Sequence, residues 1–211
     1  MEEFPVQRWG RWGAGIALVA LVGMYVVTGV SLVPASLALG PCLVDLTSPT
    51  TYAPRLSTLA TVDIPLPSGS ARLCYGRPSA RGRAIYGALV PFGEYWRLGA
   101  NEPTRLYVNR AVSLGGLELP AGRYSLYALP GPERWTMHVT RSTIHWGNDI
   151  SERVRSQDVG TFELEPVAIG VPVETLTVHP ERRGNSTMLH FDWATTRVTL
   201  PLVQVEGAPH E

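Results

Sequence analysis

The sequence predicts an all-β fold: an antiparallel β-sandwich preceded by one N-terminal transmembrane α-helix and an extended linker. Three observations carry that reading. An apolar run near the N-terminus has the length of a bilayer span, and a proline-rich yet apolar segment follows it. Beyond residue 70, short β-branched and aromatic runs alternate with turn residues at roughly 8–12-residue spacing, as in antiparallel sandwiches. A chain of 211 residues has room for one such domain and an appendage.

Residues 1–33 read as a cytoplasmic N-terminus and transmembrane helix. No charge occurs from Trp12 to Val44, and residues 14–33 (AGIALVALVGMYVVTGVSLV) match the ~20 residues a span needs. Arg8 and Arg11 precede the run and Asp45 is the first charge beyond it, so the positive-inside rule keeps the N-terminus in the cytoplasm. Trp9 and Trp12 stand where an interfacial aromatic belt belongs. A cleaved signal has a shorter apolar stretch, ~7–15 residues. A lipid anchor on Cys42 fits poorly, because Pro41 precedes it. Gly13, Ala17, Ala20 and Gly23 share one helix face at i+4 and i+3 spacing, where another helix can approach closely.

Residues 34–70 form the linker. They are rich in Pro, Ser and Thr, which favour an extended path, yet Asp45, Arg55 and Asp63 are their only charges. A solvated linker is far more polar, so this one is expected to lie against its own domain or a membrane-protein partner. The two cysteines, Cys42 and Cys74, can form a disulfide in an oxidising compartment or remain two separate thiols.

Residues 71–205 are the sandwich. Strands are expected near 104–109, 123–129, 135–140, 161–169, 173–179, 187–193 and 197–203, with turns at Gly115-Gly116, Pro130-Gly131-Pro132 and Arg183-Gly184-Asn185. A short helix is expected within 148–157, capped by Asn148, Asp149 or Ser151. Residues 206–211 are a polar tail.

Composition excludes some functions. Charged residues are 17% of the chain, the formal net charge is zero and lysine is absent, so there is no electrostatic footprint for nucleic acid. The histidines at 138, 145, 179, 190 and 210 lack metal-ligand spacing, and no phosphate-binding, dinucleotide or haem motif occurs. Ser79 lacks the glycine pattern of a nucleophile elbow. These features assign no catalytic residue, cofactor or metal, and the chain reads as a non-enzyme.

The densest chemistry lies in residues 75–104. Prolines and glycines break any helix there, so the stretch reads as a long ordered loop over a sheet. Arg77, Arg83, Trp96, Arg97, Asn101 and Glu102, with His145 beside Trp146 and Gly147, are the candidate ligand or docking residues. In one reading the arginines take an anionic group and Trp96 stacks on it. In the other they bond the carbonyls of a loop that would otherwise bury unpaired polar groups. The second reading is favoured, since no nucleophile or metal cluster lies nearby.

Several motifs then occur in order: Tyr75-Gly76-Arg77-Pro78-Ser79, Gly82-Arg83-x-Ile85-x-Gly87-x-Leu89-Val90-Pro91-Phe92-Gly93, Trp96-Arg97-Leu98-Gly99-Ala100-Asn101-Glu102, Pro120-Ala121-Gly122-x-Tyr124, Trp135, His145-Trp146-Gly147 and Leu189-x-Phe191-x-Trp193. Over about residues 70–203 the chain resembles a bacterial family of exported domains of unknown function. That resemblance implies an extracytoplasmic β domain and transfers no catalytic residue. With its anchor, the chain also resembles accessory subunits of bacterial photosynthetic reaction centre–light-harvesting complexes. The resemblance implies a single-pass protein of the bacterial inner membrane with its C-terminal domain in the periplasm. Its expected partners are the bilayer and membrane-complex subunits met through helix and linker. The alternative is a membrane-tethered enzyme or small-ligand-binding sandwich using the Arg77/Arg83/Trp96/Arg97/Glu102 region.

Overall fold

Alternation of side chains, inward then outward, sets which segments pair and how they stack. The computed structural model describes residues 56–145 and 147–205. Within them the order is β1 (Thr58–Pro65), β2 (Ser70–Arg77), β3 (Thr104–Val108), β4 (Val112–Leu114), β5 (Leu117–Leu119), β6 (Gly122–Leu129), β7 (Trp135–Thr140), α1 (Glu152–Arg155), β8 (Asp158–Leu164), β9 (Val167–Arg183) and β10 (Ser186–Gln204). One sheet runs β1-β2-β3-β6-β7-β8 and the other β5-β4-β10-β9, with antiparallel pairing throughout. Among the described residues no helix is long and apolar enough to cross a membrane. The span read at 14–33, its packing stripe Gly13, Ala17, Ala20 and Gly23, and Cys42 all lie outside them.

One apolar cluster joins the inner faces of both sheets. Leu73, Leu106, Leu126 and Met137 come from the six-stranded sheet, and Leu114, Leu176, Phe191 and Leu200 from the other. The central strand β3 is buried along its whole length, because its outer face is covered too. There Tyr127, Ile150 and Val154 form a second small cluster with Tyr95 packed against it. Arg105, only 4% exposed, holds that covering segment by donating its Nε–H to the Thr143 carbonyl at 2.8 Å.

Some strands differ from the sequence expectation, β4 and β5 among them, which were not expected. Residues 58–65, within the segment read as linker, form β1: Ala60, Val62 and Ile64 turn inward while Thr61, Asp63 and Pro65 are exposed. The run expected at 161–169 is divided, β8 ending at Leu164 and β9 starting at Val167. Pro166 lies at that break and has no N–H to give a ladder. The short helix falls within the expected 148–157 as a single turn, Glu152–Arg155, with Ser151 at its N-cap making no side-chain capping bond.

β10 is doubled back on itself. His190 Nδ1 lies 2.9 Å from Thr199 Oγ1, and Arg197 donates two 2.6 Å bonds to Asp192. Nine residues of straight strand would span roughly 30 Å. The reversal centres on Ala194, whose φ is +51°, and the pairing with β9 shifts register on both sides of it. The two runs read at 187–193 and 197–203 are thus the two arms of one hairpin. β9 is an edge strand, which is why Pro172 and Pro180 are tolerated within it.

The connection from β2 to β3, residues 78–103, is the long loop read from sequence, and it joins the two sheets. Ala80 N–H bonds the Glu174 carbonyl at 2.7 Å and Leu176 N–H bonds Pro78 at 2.9 Å, fixing the loop to the edge of β9. Trp96 and Ala128 then exchange two 2.8 Å backbone bonds, fixing it to β6. Finally Ala100 N–H reaches the Gly76 carbonyl at 3.1 Å. A Cβ at Gly76 would stand 2.0 Å from the Ala100 oxygen, so this return path demands glycine. Trp96 inserts between the sheets, 5.9 Å from Trp135 of β7 and 5.9 Å from Trp193 of β10, with the Tyr86 ring within 6.2 Å of all three.

Truncating that wedge should be severe. Trp96→Ala is expected to lose about 3–5 kcal/mol, the usual range for deleting a buried aromatic. Urea denaturation of the purified protein measures it, and a loss below about 1 kcal/mol would show that the loop does not tie the sheets together.

Candidate functional site

The loop's arginines answer first to the backbone. Arg77, at the end of β2, donates to the Leu176 carbonyl at 3.2 Å and to Thr177 Oγ1 at 3.0 Å, linking the two sheets. Arg83 donates to the carbonyls of Ala80 and Ser79, each at 2.9 Å. Trp96 gives its indole N–H to the Gly99 carbonyl at 3.2 Å. Carbonyls in such a loop have no ladder partner, and these side chains supply one.

Arg83, Trp96, Arg97 and Asn101 nevertheless line one cleft of about 320 Å³. Arg81, Asn148 and Trp193 join them, with Leu56 and Leu89 in the same lining. Sequence reading did not assign Asn148 or Trp193 to the site, because they arrive from the far segment and from β10. Arg97 NH1 donates to Asn148 Oδ1 at 2.6 Å, whereas its buried Nε has no hydrogen-bond partner. Burial lowers the pKa of Arg97, and Glu102 opposes that shift. Glu102 itself is 2% exposed and does not line the cleft.

Backbone strain gathers at the same place. Among the described residues four non-glycine positions have positive φ, and Arg81 (+52°), Leu98 (+58°) and Asn101 (+63°) all lie in this loop. Such conformations cost about 1–3 kcal/mol each and concentrate at ligand sites and switches.

The remaining candidates go elsewhere. His145 lines a separate polar cleft with Arg141, Ser142 and Asp149, its Nδ1 3.3 Å from Ser142 Oγ. Burial lowers its pKa, with nearby Arg105 adding to the effect. Arg77 lines neither cleft. Cys74 is disulfide-bonded.

Two polar clusters were not legible in the sequence. On the outer face of the six-stranded sheet, Asp158 Oδ2 accepts from Tyr127 Oη at 2.6 Å and lies 2.9 Å from His138 Nδ1, with the Tyr127 and His138 rings stacked at 4.4 Å. Tyr127 is raised above its ordinary pKa by burial and by Asp158. On the β9–β10 hairpin, Glu181 bonds Arg183 at 2.9 Å and His190 at 2.9 Å. Each cluster joins residues from different strands, and only strand register brings them together. Among the described residues, no three His, Cys, Asp or Glu side chains are placed to hold a metal ion.

These features define an antiparallel β-sandwich domain closed by a strained, arginine-rich loop over a small cationic cleft. The family model described as protein of unknown function (DUF2911) matches residues 57–202, and the chain belongs to that family. No curated protein and no solved structure matches it.

The Glu181 cluster gives a pH test. Hydrogen bonds from Arg183 and then His190 hold the Glu181 carboxyl at about 2, against an ordinary 4.5. The folded chain therefore binds fewer protons than the unfolded one in that window, and stability rises with pH across it. The contribution is full above about pH 4.5 and disappears as pH falls toward about 2. Urea midpoints measured across this window should fall less steeply for Glu181→Gln than for the native chain. Equal slopes would show that the pair is not formed in solution.

Proposed function

We propose that the chain is a membrane-anchored accessory subunit whose β domain braces a multi-subunit membrane complex on the periplasmic side. One observation carries the reading: the loop uses Arg77, Arg83 and Trp96 to bond its own carbonyls, while presenting Leu89 and Phe92 to solvent, each 42% exposed. Leu56, where the described chain begins, is 76% exposed and lines the same cleft as Leu89. Apolar side chains left outward on a braced loop suit a protein contact better than a reaction centre. The apolar segment preceding residue 56 and the uncharged run at 14–33 support the same reading. The resemblance to accessory subunits of photosynthetic reaction centre–light-harvesting complexes names the kind of assembly we propose.

A second reading has its own support. The cleft over Trp96 and Trp193, with strained backbone at its edge, suits a membrane-tethered domain that binds a small ligand.

Extraction of native membranes with a mild detergent tests the first reading. The chain should co-migrate with pigment-bearing or other multi-subunit membrane protein, and Leu89→Glu with Phe92→Glu should release it. Migration of the native chain as a free monomer would overturn the proposal.

A further inference from the structure

We propose that the cleft binds a phosphate ester, the phosphate seated on Arg81, Arg83 and Arg97 and its apolar portion against Leu56 and Leu89. The proposal rests on the ligand-binding reading above and names its ligand class.

Charge is the first argument. Three guanidinium side chains line the cleft, and no Asp, Glu or His side chain does. The whole chain has as many acidic as basic residues, so an all-cationic lining is a local segregation of charge. The nearest acids stand behind the lining, Glu102 acting electrostatically on Arg97. Glu174 accepts the Arg81 backbone N–H at 2.8 Å, and Glu102 is buried outside the lining.

Donor geometry is the second. Each guanidinium carries five N–H donors in a planar fork. Arg81 places one on the Leu56 carbonyl at 3.0 Å, Arg83 places two on Ser79 and Ala80, and Arg97 places one on Asn148. The bonds hold the side chains in place without exhausting their donors. Arg97 sits partly desolvated beside the cleft, its Nε unpartnered, a position that an incoming anion would stabilise.

Size and wall are the third. A volume near 320 Å³ is at the small end of ligand pockets, about 300–1,000 Å³. Guanidinium forks pair bidentately with phosphate, and three arginines in one small lining suit that larger, tetrahedral anion. The exposed Leu56 and Leu89 in the same lining favour an ester with an apolar part over the bare ion. A phospholipid headgroup and a soluble organic phosphate share this chemistry.

The full-length chain in a sugar-based detergent, which carries no phosphate, provides the test, read through its tryptophan fluorescence. Glycerol 3-phosphate and inorganic phosphate probe the soluble source. Micelles of that detergent with and without added phosphatidylglycerol probe the lipid source. A saturable change with either set supports the proposal and identifies the source, the ester binding more tightly than inorganic phosphate. Arg81→Gln and Arg97→Gln should each weaken binding roughly tenfold or more, the effect of losing a charge-assisted bond. Arg97→Lys, which keeps the charge without the fork, should lie between, and thermal melting checks that each variant is folded. Equal affinity for acetate, or unchanged affinity in folded Arg81→Gln and Arg97→Gln, overturns the phosphate assignment alone. No saturable response to any anion overturns the ligand-binding reading with it.

Discussion

The insertion of Trp96 between Trp135 and Trp193 is the contact on which the rest of the domain depends. Ordering a loop as long as residues 78–103 costs on the order of tens of kcal/mol, at about 1–2 kcal/mol per residue. Scattered hydrogen bonds, each worth about 1 kcal/mol net, do not offset that alone. Burial of a large ring does more, and each edge-on or stacked pair adds about 0.5–1.5 kcal/mol beyond the area buried. Trp96 makes such contacts with a ring from each sheet and with Tyr86 of its own loop. The sandwich is therefore closed on this side by a side chain, whereas its strands only stack.

The arginines follow from that closure. A loop held against both sheets buries carbonyls that no strand pairs, and a planar fork with several donors can satisfy two at once, as Arg83 does with Ser79 and Ala80. A lysine ammonium lacks that fork. Arg77 has the further task of joining β2 to β9 across the sandwich. Bracing and binding are compatible in one set of side chains, because each guanidinium carries more donors than its loop bonds use.

Much of the fold was legible, and the exceptions have physical causes. Runs such as 104–109 and 135–140 carried period-two alternation between turn residues, and they became β3 and β7. β1 has the same alternation, but prolines and threonines around it read as a linker, and pairing with β2 overrides that composition. The reversal of β10 at Ala194 has no glycine or asparagine to announce it. In the site, Arg83, Trp96, Arg97 and Asn101 lie within one stretch and were readable as a group. Asn148 and Trp193 join them only through the fold, and His145, adjacent to Asn148 in the chain's far segment, faces a different cleft.

Charge segregation bears on how the two proposed roles relate. In a chain of zero net charge, a pocket lined by three arginines makes a field that fades within about a Debye length, ~8–10 Å at ordinary ionic strength. Such a field does little to steer a ligand from bulk solution. It acts on a group already brought close, and a tethered domain near a lipid or protein surface meets such groups at high local concentration. The outward Leu89 on the cleft wall fits that arrangement, because an apolar edge next to a cationic floor matches an amphiphilic partner at both ends. In the proposed arrangement, docking to a membrane assembly and binding of a phosphate ester would be two contacts of one surface, the first supplying the proximity that the second requires.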